Sequence, residues 1–102
     1  MNSNTRKRNA DKALRQGVLA RDEKCVNCGS YESLECAHYI ARSQGGLAIK
    51  ENLVILCRTC HHALDNGNNH YIASCIRASV KHYLDQLYPS FEGRSERNRW
   101  DP

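Results

Sequence analysis

Apolar residues fall at helical spacing in two stretches of this chain, run together in a short third, and are separated by polar segments rich in Gly and Asn. Over residues 9–22, Ala10, Ala13, Leu14 and Val18 recur at three- and four-residue intervals among charged neighbours, which predicts an amphipathic helix ending near Asp22. Two short strands are expected next, Leu34–Ile40 and Leu53–Cys57, the second an unbroken Leu, Val and Ile run of the kind buried on both faces. Between them lies ARSQGGLAIKEN, where Gly45-Gly46 marks a flexible loop that permits close backbone approach, at a place where a substrate could sit. A short helix should begin around Thr59 and stop at Asn66-Gly67. A longer one follows from Asn69 to Leu87, with Ile72, Cys75, Ile76, Val80, Tyr83, Leu84 and Leu87 on one stripe opposite Arg77, Lys81 and Asp85. Pro89 ends it. The chain thus divides into a basic flexible arm (1–8), one α+β domain (9–88) and a polar, frayed tail (89–102).

Composition makes that domain hard to stabilise by burial alone. With 102 residues, 40% of them hydrophobic, and one Phe and one Trp, a large aromatic core is out of reach. The net charge of +4 resides in residues 1–24, where Arg6, Lys7, Arg8, Lys12, Arg15, Arg21 and Lys24 face Asp11, Asp22 and Glu23; the rest of the chain is neutral. A basic arm on a neutral body suits phosphate-backbone binding, although a solvated basic helix end would read the same. No run approaches the roughly 20 apolar residues of a membrane span, and the N-terminus is polar, so a soluble, cytoplasmic protein is expected. In such a reducing compartment six cysteines point to thiols or metal ligands before disulfides.

Cys25-x-x-Cys28 and Cys57-x-x-Cys60 present four soft ligands in two tight turns, the arrangement of a tetrahedral zinc site. A closed four-cysteine site leaves no open position, so that zinc would be structural. Its binding could contribute about 10–16 kcal/mol of apparent folding free energy, comparable with the stability of an ordinary domain. A redox dithiol would need only one such pair in a βαβ setting, and disulfides remain the other alternative. Cys36 and Cys75 are left over as small buried apolar residues.

Taken together, LECAHYIARSQGG, ENLVILC and RTCHHALDNG resemble the HNH nuclease family, and the resemblance spans residues 15–88. It implies a small zinc-bound ββα-metal (His-Me finger) domain with flanking N- and C-terminal helices, and a metal-dependent endonuclease that nicks or cuts DNA. Its three signature positions map to His38, Asn52 and His61. His38 would be the general base, for which an imidazole with a pKa near about 6.5 is suited. His61 and Asp65, four apart on one helix face, would share a catalytic Mg²⁺ or Mn²⁺. Asn52 would either fix the loop that aims the base or touch the ion. Arg42 and Lys50, flanking the glycines, and Arg6, Lys7 and Arg8 are candidate phosphate contacts. The flanks look like those of small phage or prophage members, which brings phage DNA packaging beside a terminase into view.

One position departs from the family pattern. The residue before the base usually supplies a metal ligand, and here it is Ala37, so the ion would rest on His61, Asp65 and waters or recruit His62, Glu35 or Cys36. Ala37 also keeps open a non-catalytic zinc-knot module that binds nucleic acid or protein, with structured RNA a further candidate substrate. His70 and His82 are expected to be ordinary helix residues.

Overall fold

Helix α1 (Lys12–Asp22) opens the structure, a computed structural model that describes residues 11–95. The arm carrying Arg6, Lys7 and Arg8 lies outside the described residues. Asp11 caps α1 by accepting the Leu14 N–H at 2.7 Å, satisfying one of the amides that a helix start leaves unpaired. Val18 and the partly buried Leu14 form its apolar face, packed on Leu53 and Ile55.

Strands β1 (Leu34–His38) and β2 (Leu53–Cys57) pair antiparallel, with Leu34 opposite Cys57 and His38 opposite Leu53. Two strands alone do not make a stable sheet in water. Here β2 is buried along its whole length: Leu53 and Ile55 meet α1 on one face, while Val54 and Leu56 join the main core on the other. That core is closed by α2 (Arg58–Asp65) through Leu64, and by α3 (His70–Leu87) through Ile76, Val80 and Leu84. Strand β1 ends two residues earlier than its apolar pattern suggests. At Ile40 both backbone polar groups bond to the Asn52 side chain instead of to a neighbouring strand.

The stripe on α3 is narrower than expected. Ile72 and Leu87 are exposed, and so is Cys75, which the sequence placed in the core. Ile76, Val80 and Leu84, the members of α3 in the core, sit along its middle; Ile72 and Leu87 lie beyond them toward the two ends, and Cys75 points about 100° round the helix from Ile76, off the buried face. Cys36 is half-buried beside the α1 contact.

A buried charge joins the layers. The Asp22 carboxylate accepts from Arg21 Nε at 2.6 Å, from the Ile55 N–H at 2.9 Å and from the Tyr83 hydroxyl at 2.5 Å. The remaining Arg21 N–H groups reach the carbonyls of Lys50 at 2.8 Å and Leu53 at 2.6 Å. A desolvated ion pair is tolerated when its lone pairs and protons are all engaged in this way, and it ties α1, β2 and α3 to the start of the loop return. The chain does not fray directly after Pro89 either. Arg94 and Ser95 are buried against the Gly-Gly loop: Arg94 Nε donates to Glu51 O at 2.6 Å, its carbonyl accepts the Leu47 N–H at 2.9 Å, and the Ser95 hydroxyl donates to Gln44 O at 3.1 Å.

Candidate functional site

The two Cys-x-x-Cys turns come from different parts of the fold, one following α1 and the other at the junction of β2 with α2. The Val26 N–H bonds to Ile55 O at 2.9 Å and so docks the first turn onto β2. All four Sγ atoms of Cys25, Cys28, Cys57 and Cys60 lie within 4.8 Å of one another, and Cys28 and Cys57 are 3.7 Å apart. Four sulfurs about 2.3 Å from one zinc stand about 3.8 Å apart along each tetrahedral edge, so the cluster has the dimensions of that ion's first shell. No cysteine is in a disulfide. Amide donors support the sulfurs, from Cys28 N–H to Cys25 Sγ, from Cys60 N–H to Cys57 Sγ and from Asn27 Nδ2 to Cys60 Sγ. Burial pushes the Cys25 thiol up, yet backbone donors outweigh it and hold the thiol at about 7; at Cys60 burial prevails and the value rises to about 12.

The loop after β1 is shaped by Asn52, whose side chain is wholly buried. Its Oδ1 accepts the Ile40 N–H at 2.9 Å, and its Nδ2 donates to Ile40 O at 3.1 Å and Leu47 O at 3.0 Å. Of the two alternatives for this residue, these bonds describe the loop clasp. Gly45 adopts φ 83°, and a Cβ on Gly46 would lie 1.8 Å from Ile40 O. The close approach anticipated from Gly-Gly is therefore to the chain's own backbone, and the loop is pinned by Asn52, Arg94 and Ser95.

On α2, His61 Nε2 lies 3.0 Å from Asp65 Oδ2, a contact that their spacing of four residues allows. The other ring nitrogen, Nδ1, lies 2.8 Å from Glu35 Oε1 on β1, and Arg58 Nε holds Glu35 Oε2 at 3.1 Å. The His61 and Arg58 hydrogen bonds keep the Glu35 carboxyl below the usual carboxylate range. Alternation along β1 puts Glu35 and Ala37 on the α2 face and His38 on the face with Leu34 and Cys36. The structure thus unites His61, Asp65 and Glu35 in one row, and brings the half-buried His38 to the end of β1 beside Leu53, from the opposite face. Ala37 is 1% exposed within the apolar core, so its methyl is packing and offers no donor.

Of the remaining candidates, Arg42 is exposed in the turn Arg42–Gln44, and Lys50 is exposed with its Nζ 5.8 Å over the Tyr88 ring. His62, His70 and His82 are exposed. Sequence patterns did not reveal the Glu35–His61 contact, the Asp22 hub or the Arg94 clasp. Each depends on which element packs opposite, and alternating or helical spacing carries no such information.

A family model described as HNH endonuclease matches residues 25–67, from the first knuckle cysteine to the glycine after α2. Among solved structures, the Type IV phosphorothioation-dependent restriction endonuclease ScoMcrA superposes with a TM-score of 0.56 at 21% identity, over 76% of this chain and 20% of that one. That likeness is one of fold, and this chain spans about a fifth of the matched protein. None of the curated proteins matches the sequence.

Proposed function

We propose that this chain, which carries an HNH-family segment over residues 25–67 on an HNH-type α+β fold, is a metal-dependent endonuclease hydrolysing phosphodiester bonds in DNA. The observation that carries this reading is the spacing of His61 Nε2 and Asp65 Oδ2, 3.0 Å. Two adjacent ligands about 2.1 Å from an octahedral cation stand about 3.0 Å apart, so this hydrogen-bonded pair could take up Mg²⁺ or Mn²⁺ with little movement. A cation held by these two residues supplies charge neutralisation at the scissile phosphate and its leaving oxygen.

The chain's own residues do the rest. His38 is the general base in this reading, a role that typically contributes about 10²–10⁴ in rate. Because it leaves β1 from the face opposite His61 and Asp65, it can serve the same phosphate only around the end of the strand. The Asn52 side chain holds the backbone at Ile40, two residues after the base, so the end of the strand that carries the imidazole is fixed to the loop that follows it. Arg42 and Lys50 offer exposed positive charge at the two ends of that loop, and Arg6, Lys7 and Arg8 would add nonspecific phosphate contacts. The zinc knot sets the start of α2 through Cys57 and Cys60, and thereby the place of His61, the next residue. Products with a 5′-phosphate and a 3′-hydroxyl follow from this route. A place in phage DNA packaging beside a terminase rests on the flanking segments alone.

Incubation of the zinc-loaded protein with supercoiled plasmid and Mg²⁺ or Mn²⁺ is expected to yield nicked or linear DNA, with loss of cleavage in His38→Ala and in EDTA. Undiminished cleavage by His38→Ala would sink the mechanism. A mobility shift without any cutting would favour the non-catalytic zinc-knot module, the reading that the methyl of Ala37 supports.

A further inference from the structure

An imidazole can hold a cation only through the nitrogen that lacks a proton, and the partner of the other nitrogen decides which one that is. In His61 both nitrogens face carboxylates: Glu35 Oε1 lies 2.8 Å from Nδ1 and Asp65 Oδ2 lies 3.0 Å from Nε2. A neutral ring has one proton for these two acceptors. If Asp65 took it, Nε2 would become a donor and the pair with the spacing of a cation site would close upon itself.

Glu35 is the better oriented of the two acceptors. Its carboxylate is fixed from two sides, by the ring and by Arg58 Nε at 3.1 Å. It also approaches the ring from the strand, on the same face as Ala37. It is not placed to be a ligand itself, because it sits on the Nδ1 side, across the ring from Asp65. Among the described residues only the four cysteines bring three or more such donor atoms to one point.

We infer that Glu35 is a positioning residue for the metal centre, holding the proton of His61 on Nδ1 so that Nε2 presents its lone pair to a cation shared with Asp65. The inference rests on the endonuclease reading above and adds to it what β1 contributes: the strand that offers no ligand at Ala37 acts on the ion at one remove, through Glu35. Outer partners of this kind typically change metal affinity about 10- to 100-fold when removed.

The test uses the full, zinc-loaded chain, with Mn²⁺ binding read by calorimetry or electron paramagnetic resonance and the His61 tautomer read by nitrogen NMR without Mn²⁺. The wild type should show the Nδ1–H tautomer and bind Mn²⁺ in a manner lost in His61→Ala. Glu35→Ala should move the proton to Nε2 and weaken Mn²⁺ about 10- to 100-fold, with zinc content and melting temperature close to wild type. Glu35→Gln, which keeps an acceptor oxygen, should recover part of the loss in both readouts. Unchanged Mn²⁺ affinity in Glu35→Ala, with binding still lost in His61→Ala, overturns the positioning role and leaves the endonuclease reading standing. Loss in Glu35→Ala as complete as in His61→Ala, with the tautomer unmoved, overturns it in favour of direct ligation. A wild type that binds no Mn²⁺ beyond its zinc overturns both readings.

Discussion

Asn52 shows how much a single amide can specify. Its three hydrogen bonds to Ile40 and Leu47 use one acceptor and two donors, and no other side chain of that size supplies both. Asn52→Asp keeps the shape but turns lone pairs toward two carbonyl oxygens, while Asn52→Ala leaves their partners unmet. Each unmet buried group costs about 1–3 kcal/mol, so both variants should lose several kcal/mol, with Asp at least as damaging as Ala despite being isosteric. Urea unfolding in zinc-containing buffer measures this, and a wild-type midpoint in Asn52→Asp would refute it. Glu35 belongs to the same scale. In a strand pattern a carboxylate on the inner face reads as an irregularity, and its meaning emerges only when His61 is found opposite.

Elements differ in how openly the sequence announces them. Strand β2 was legible to the residue, because five consecutive apolar residues can be accommodated only when both faces are covered. The end of α2 was legible from Asn66-Gly67, and α3 from its stripe, with Asn69 capping it through the Tyr71 and Ile72 amides. The cysteine pairs declared their convergence through spacing alone. What stayed hidden was cover: Ile72 and Leu87 lie toward the ends of α3 and Cys75 at the margin of its stripe, and helical periodicity does not state how far or how widely a neighbour covers it. The junction of β2 with α2 also carries a prediction. Zinc binding to such a site is worth about 10–16 kcal/mol, against a whole-domain stability of about 5–15 kcal/mol. Chelation strong enough to strip zinc should therefore unfold the described domain, not merely silence it; retained native NMR dispersion in metal-free protein would contradict this.

At the scale of the whole molecule, two layers of core are stitched by the Asp22 hub. Burial, then the bond to Asp22, raises the Tyr83 hydroxyl from 10.0 to about 12. A phenol whose folded value is raised binds its proton more tightly when folded, so its share of stability is complete below pH 10.0 and drains away as pH climbs to about 12. Tyr83→Phe should cost about 1.5–3 kcal/mol at neutral pH, the worth of a hydrogen bond to a charged group. The gap from wild type should shrink through that alkaline window. A gap that stayed constant from pH 8 to 12, by thermal melts, would show that the hydroxyl does not lean on Asp22 as drawn.

The clasp made by Arg94 and Ser95 has a consequence for how the molecule is born. A chain emerging from the ribosome has all four knuckle thiols and the whole of α3 before Arg94 appears, yet the Leu47 amide and the Gln44 carbonyl still await their partners. The knot can close early, whereas the loop behind His38 takes its final form only when nearly the last of the described residues have been made.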